Sequence, residues 1–539
     1  MKLHLFILCT LLSLQAHSQT YDWINHFGSP GADYSNNVIM DNDGNTYSTG
    51  FYRLGGFEIS GQVLPYVDNM DSYLAKFDSE GDLLWVIPFY GKGVFDRTEG
   101  IEIDDDGNVY LLTTIQEIQN IGDQITLEVD SLNNIDVLLL KFTPDGQLLW
   151  HKIYGGPSSD LGYNFLLREN DILITGHFRD SLNFDDITLV SNDELQDMFI
   201  ASVDLDGNAN WARGYGGAGH DRLYEIEEHE NGDLAVCGYA TGDWVFGSTT
   251  LEARETRFNG FTGRLSSEGE PKWAAQILTE NNSHAGVSNV TTDEENNTYV
   301  TGALTGLSKI DTTVYDAEGT GQFFVMKYNN SGSIDWLHVA DVNGSTNYSA
   351  GGTISYVDDR IWLGGGIGRG MKFLGKEFTD LDTTNLYIAI LDKDGNLTAD
   401  FHDGGAGYAA CSDIDVQGET IIYSIWTRGD LELNGTSYIT RENDIVVAQM
   451  DFGDVISSVE VRQLESLPNI FPNPANDILF IEAESDAFTG MHVIDALGRT
   501  IIKSPVVPQI DVSKLMPGSY FVRFIANDRE VVLPLIIVR

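Results

Sequence analysis

Between residue 20 and about residue 455, short apolar runs alternate with turns rich in Asp, Asn and Gly. Val109-Tyr-Leu-Leu-Thr-Thr-Ile115 and Val137-Leu-Leu-Leu-Lys-Phe142 are almost continuously apolar, as expected of strands buried on both faces. Other runs alternate apolar and polar positions. Asp-Gly or Asn-Gly between two such runs predicts a hairpin, because these residues accept the left-handed turn that the strand twist requires. Patterning with a 3.6-residue period is nearly absent here. The predicted fold is therefore all-β.

The runs repeat. Trp23, Trp85, Trp150, Trp211, Trp273 and Trp336 recur about every 62 residues, and a seventh unit near Leu397-Thr398 lacks its tryptophan. Ahead of most of these tryptophans stands a segment such as Tyr73-Leu-Ala-Lys-Phe-Asp78-Ser-Glu-Gly81. A second segment, such as Asp43-Gly-Asn-Thr-Tyr-Ser-Thr-Gly50, falls in mid-period. Four or more short strands per period, repeated seven times, predict a seven-bladed β-propeller over residues 19–455. A solenoid is the rival. The ends favour the ring: Tyr21 to Phe27 and Ile445 to Asp451 are lone strands that inner periods join as a hairpin. Pairing them removes both free sheet edges.

This order sorts the loops by face. The segments that cross from each Trp strand to the next unit contain Asp33, Asp96, Asp160 and His220-Asp221-Arg222, with His284, Asn347-Tyr348 and Tyr408 in corresponding stretches. They are predicted to surround a channel mouth, together with the long loops that carry Phe57, Phe184, Phe246 and Phe373. Asp33, Asp96, Asp160, His220, Asp221, Arg222, His284 and Tyr408 are the candidate binding residues. A plainer reading of the repeated aspartates is that they cap neighbouring backbone N–H groups.

The repeat segment, followed by Gly-Gly…Asp and Asp-Gly-Asn…Tyr…Thr-Gly, resembles the secreted and surface β-propeller-repeat proteins of bacteria, the SBBP group. That family implies no single activity and no fixed catalytic residues.

After Asp454 the 62-residue beat stops. Residues 456–468 read as a polar linker, and residues 469–539 hold seven or so strand-like runs, which predict a small Ig-like β-sandwich. Within it, in order, stand Pro472-Asn473-Pro474-Ala475, Asp495-x-x-Gly498-Arg499, Ile510-Asp511-Val512 and Leu515-x-Pro517-Gly518-x-Tyr520. These motifs resemble the type A C-terminal sorting domain of the type IX secretion system. The resemblance implies passage from the periplasm across the outer membrane of a Gram-negative bacterium. It further implies contact with the secretion machinery and removal by a surface sortase in the linker. The cargo is then released or attached to lipopolysaccharide.

The N-terminus agrees with export. Lys2, the apolar run Leu3 to Leu14 and the small-x-small site Ala16-His17-Ser18 read as a signal peptide over residues 1–18, too short to span a bilayer. No later run is long and apolar enough for a transmembrane helix. The net charge of −50 argues against nucleic acid and against a polybasic membrane contact. Cys237 and Cys411, the cysteines left after cleavage, do not make a disulfide framework, and no Cys/His spacing suggests zinc.

Enzyme motifs fit poorly. Asp78-x-x-Gly81-x-x-x-Trp85 misses the quinoprotein spacing by one residue and lacks its Thr, and the Gly-to-Trp interval is one residue too long for a sialidase Asp-box. No GxSxG or phosphate loop occurs. Asp41-Asn-Asp43, Asp104-Asp-Asp106, Asp204-Leu-Asp206 and Asp392-Lys-Asp394 resemble the start of calcium loops but lack the later bidentate Glu, so ordinary turn capping explains them as well. No cofactor is expected, with calcium the one open question. Asp-Ser or Asp-Thr pairs at Asp130, Asp180, Asp311 and Asp382 resemble O-glycosylation sites of bacteria with this secretion route.

The expected function is a secreted or cell-surface binding module for a glycan or protein, without catalysis. A polysaccharide hydrolase or lyase acting at the channel mouth is the alternative, and a passive surface protein is the third reading.

Overall fold

The computed structural model describes residues 21–67, 69–92, 97–129, 134–192, 195–247, 249–251, 258–280, 283–317, 321–341, 350–379, 381, 383–452, 469–471, 475–482, 490–495, 499–525 and 530–538. The signal segment, the linker, Asp96, Asn347-Tyr348, Asp130, Asp382, Pro472, Asn473, Pro474 and Gly498 lie outside these residues. The chain divides into two compact units, Met1–Asp454 and Val455–Arg539.

In the first unit the described elements are all strands. Seven of its sheets share one antiparallel order, first strand to fourth. The first sheet runs Tyr34–Met40, Thr46–Tyr52, Asp71–Phe77, Leu83–Lys92. The first strands of the next five sheets begin at Thr98, Leu161, Arg222, His284 and Ala350. The seventh runs Tyr408–Gln417, Thr420–Leu433, Thr436–Asp451 and then Tyr21–Phe27, so its fourth strand comes from the start of the chain. Trp23 lies opposite Gln449 and Phe27 opposite Ile445 in that pairing. First strands of successive sheets pack side by side, and Tyr408–Gln417 packs on Tyr34–Met40. The arrangement is propeller-like.

Burial explains the sequence pattern. The second and third strands of the first sheet are buried at every residue, because both of their faces meet neighbouring sheets. The fourth strand alternates from Val86 onward, with one side buried and the other more open.

The repeated Gly and Trp meet across sheets. In each turn joining third and fourth strands a glycine takes positive φ, 84° at Gly81 and 82° at Gly332. A Cβ on Gly81 would lie 2.7 Å from the Trp23 ring of the preceding sheet. Gly146 faces Trp85, Gly207 faces Trp150, Gly269 faces Trp211, Gly332 faces Trp273 and Gly395 faces Trp336. Glycine is therefore required twice, by the left-handed turn and by the indole beneath it. The missing tryptophan now has a reason. In the sixth sheet the register puts Ala399 opposite Ile390, where its counterparts have Trp. The next sheet draws its third and fourth strands from opposite ends of the chain. No turn joins them, and so no glycine turn would cover an indole there.

The Lys and Asp of the repeat also meet. Lys76 lies opposite Trp85, 3.3 Å from Asp41 and 4.7 Å above the Tyr47 ring centre. Lys141 does the same with Asp104 and Tyr110.

The second unit has a three-stranded and a four-stranded antiparallel sheet. Leu479, Ile481, Met491, Val493, Val522, Phe524 and Leu535 share its core. Ala475 is buried and bridges the final strand in parallel: its N–H donates to Ile536 O (2.8 Å) and its O accepts from Val538 N–H (2.9 Å). Pro517 stands in the turn before Gly518–Ile525, and the Tyr520 hydroxyl donates to Met516 O across it (3.0 Å).

Candidate functional site: the channel mouth

Each first strand of the seven sheets carries a β-bulge at the same place. The register skips one residue at Asn36, Glu99, Tyr163, Tyr224, Ser288, Gly352 and Ser412. A bulge twists the strand and re-aims a side chain, and here it does so near the loop end of every sheet. The candidate residues of the crossover loops fall on this end, and so do the small hairpins that follow several second strands. Gly28 bridges Glu58, Gly155 bridges Asn183 and Gly217 bridges Trp244. The hairpin phenylalanines Phe57, Phe184, Phe246 and Phe373 are buried in the core beneath.

The crossover aspartates point inward. Asp33, Asp160 and Asp221 are fully buried. Asp33 accepts from the Ser29 N–H and hydroxyl. Asp160 accepts from Arg179 N–H (3.2 Å), and Asp221 from Gly217 N–H (2.9 Å) and Thr241 N–H (3.1 Å). Burial pushes the carboxyl of Asp33 up to about 7 and that of Asp160 up to about 8. These side chains hold the crossover loops in shape and do not line the opening.

Of the other crossover candidates, His220 is exposed, and Arg222, His284 and Tyr408 are half-buried. His220 Nδ1 lies 3.2 Å from Gln196 Oε1. Arg222 donates to the same oxygen (3.2 Å). The His284 ring lies 5.0 Å from Phe258, and Tyr408 stacks on Trp426 at 4.6 Å. The structure adds residues that motif reading missed. Tyr34 stacks on Phe51 at 4.9 Å and approaches Trp426 at 6.0 Å. Tyr163, Tyr224 and Tyr239 form a second aromatic run, 4.9 and 5.5 Å between neighbours. Arg53 and Arg97 stand over Phe51, and Arg97 lies 3.0 Å from Glu99. Tyr34, Asn37, Phe51, Arg53, Arg97, Glu99, Gly352 and Trp426 line a cavity of about 560 Å³. The available signal was a break in alternation: Asn36-Asn37, Tyr163-Asn164, Tyr224-Glu225 and Ser412-Asp413 put two polar or outsized residues side by side in otherwise alternating strands.

Below the bulges the channel is acidic. Glu102, Glu225, Glu227, Asp413 and Asp415 are half-buried on these first strands. Burial, reinforced by mutual repulsion, pushes Glu102 up to about 8 and Asp413 up to about 7. Burial also pushes Glu227 up to about 7. These acids link sheets. Asn289 Nδ2 donates to Glu225 (3.1 Å), Val38 N–H to Asp413 (3.0 Å) and Met40 N–H to Asp415 (2.8 Å).

Among the described residues no group of three or more His, Cys, Asp or Glu is arranged to hold a metal ion. The calcium-like turns spend their carboxylates locally. Asp41 accepts from Asp43 N–H (3.0 Å) and from Asn45 N–H (2.9 Å), and Asp104, Asp204 and Asp392 repeat the pattern.

Comparison with known proteins separates the two units. Residues 469–538 match the family model of the secretion system C-terminal sorting domain. The chain thus carries a type IX sorting tail, which engages the secretion machinery and marks proteins delivered to the cell surface or the extracellular space. No described helix is long and apolar enough to cross a membrane. No curated protein matches the chain. Among solved structures, virginiamycin B lyase from Staphylococcus aureus is 11% identical with a TM-score of 0.36, over 79% of this chain and 99% of that one. A streptogramin B lyase is 10% identical (TM-score 0.38; 79% and 97%). An apocarotenoid oxygenase from Synechocystis is 11% identical (TM-score 0.31; 69% and 90%). At that likeness nothing about activity passes to this chain.

Proposed function

We propose that the first unit is a seven-bladed β-propeller of the SBBP kind that binds an extracellular ligand at its channel mouth without catalysis. In this reading a signal peptide over residues 1–18 sends the chain to the periplasm of a Gram-negative bacterium. The second unit is an Ig-like sandwich whose sorting motif, Pro472 to Pro474 with Gly498, Pro517, Gly518 and Tyr520, is used in export and then removed by a sortase within residues 456–468.

One observation carries the binding role. Aromatic rings and arginines from several sheets converge on one concave face, while the nearby buried aspartates are occupied by backbone N–H groups. Such a face recognises; among the described residues no nucleophile with an adjacent base is assembled on it.

The test is a glycan and protein array probed with the secreted chain, followed by turnover assays on the hits. Binding that Trp426→Ala abolishes, without product formation, is the expected result. Product formation lost in a mouth variant establishes a polysaccharide hydrolase or lyase instead. Mass spectrometry of the secreted chain is expected to find a C-terminus between residues 456 and 469, and an intact Arg539 on the surface protein overturns the sortase step.

A further inference from the structure

We propose that the mouth takes an acidic polysaccharide, held at two positions that each set an arginine against aromatic rings. The inference deepens the binding role given above and rests on it.

At the first position the Arg53 guanidinium lies 5.8 Å from the Tyr34 ring centre and 5.6 Å from that of Phe51. At the second, Arg222 lies 5.9 Å from Tyr163 and 5.6 Å from Tyr239. Neither Arg53 nor Arg222 makes an ion pair among the described residues. The hydrogen-bond partners of Arg222, Gln196 and Tyr224, are neutral. Arg168, Arg213 and Arg264, in contrast, pair with carboxylates. A ring face steadies a guanidinium and leaves its N–H edge for a planar oxyanion. Two such edges in one opening fit a ligand with at least two acidic groups.

An independent observation points to hydroxyls. His177 is 1% exposed, 5.3 Å from Tyr163, and neither ring nitrogen has a hydrogen-bond partner among the described residues. Burial pushes its pKa down to about 3, so the neutral ring offers one donor and one acceptor. Ser412 Oγ and Asn37 Oδ1 also lack partners among the described residues. Buried polar atoms require them, and a bound saccharide or the water it orders supplies both kinds. The net charge of −50 does not forbid an anion, since charges more than about 8 Å away are screened at physiological salt.

The experiment is calorimetric titration of the full chain with oligogalacturonate of two and of six units, neutral cello-oligosaccharide and poly-glutamate. The expected result is binding of the uronates alone, weaker for two units than for six, and reduced about tenfold by Arg53→Ala and by Arg222→Ala. Arg222→Lys, which keeps the charge, and unchanged melting guard against a folding artefact. Equal binding of cello-oligosaccharide overturns the acidic class and leaves the binding role intact. Equal binding of poly-glutamate assigns an acidic peptide and overturns the saccharide. Uronate binding that neither arginine variant alters overturns the site. No binding here together with an empty array removes the binding role itself.

Discussion

At the outer edge of the sheets, six tryptophans meet six glycine turns in the same way, whereas at the channel mouth the residues vary among the sheets. Beside the bulge, the successive sheets place Tyr34, Arg97, Leu161, Arg222, Gly286, Ala350 and Ala410. The edge solves one packing problem repeatedly, so one answer recurs. The mouth has no packing problem in common, so its residues are free to answer to something else. The fifth and sixth sheets contribute mainly small residues there, Gly286, Ser288 and Gly352 among them, while the others contribute rings and arginines. A Cβ on Gly286 would meet nothing within 4 Å.

If this contrast is correct, edge substitutions act on stability. The largest effect is expected from Trp336→Ala. It removes the indole that packs under Gly395 and donates to Lys393 O (3.0 Å), at a cost of about 3 kcal/mol, the low end for aromatic truncation because the ring is only half-buried. Calorimetric melting is the measure, and a change under about 0.5 kcal/mol, the scale of a surface substitution, would break the comparison. Next come two glycines of equal φ. Gly332→Ala drives a Cβ to 2.7 Å from Trp273, whereas Gly232→Ala meets nothing within 4 Å. The second isolates the left-handed backbone cost of about 1 kcal/mol, and the first is expected to be roughly twice as costly.

How much of this was legible beforehand follows from the same contrast. The 62-residue beat, the turns and the joining of the two chain ends are written in Trp, Gly and Asp-Gly-Asn, because repeated packing leaves repeated residues. The sorting tail was legible for a different reason: its motifs are ordered and local. The mouth was legible only in part. Loop position pointed to Arg222 and Tyr408 but equally to Asp33, Asp160 and Asp221, which turn inward to cap the backbone. Phe51 and Trp426 sit on second strands and Arg53 just past the end of one, where an isolated sequence shows no reason to prefer them to buried neighbours. Only the register, with its bulge in each first strand, brings them to one opening.

The channel acids give a smaller, pH-dependent effect. Glu102, Glu227 and Asp413 hold their protons up to about pH 7 to 8 in the folded chain, against about 4 when unfolded. Folding therefore takes up protons between those values. The stability they contribute is full below about pH 4 and is lost as pH rises through 7 to 8. Melting is expected to fall between pH 5.5 and pH 8.5. Glu102→Gln, which removes one of these titrations, is expected to raise melting more at pH 8.5 than at pH 5.5. A rise of equal size at both values would mean that Glu102 is not held protonated.

The smallest stability effect is expected at the mouth itself. Arg53 is exposed, makes no ion pair among the described residues and leans on Tyr34 and Phe51 without filling the space between sheets. Arg53→Ala should therefore shift stability by no more than about 0.5 kcal/mol, as for surface positions generally. Trp336→Ala, in contrast, should weaken the fold while leaving ligand affinity at the mouth unchanged in the protein that remains folded. Measuring melting and binding on both variants makes a two-by-two test. If Arg53→Ala destabilises the chain as much as Trp336→Ala does, the mouth is doing structural work. The irregularity of its residues would then reflect local packing in each sheet and not selection for a ligand.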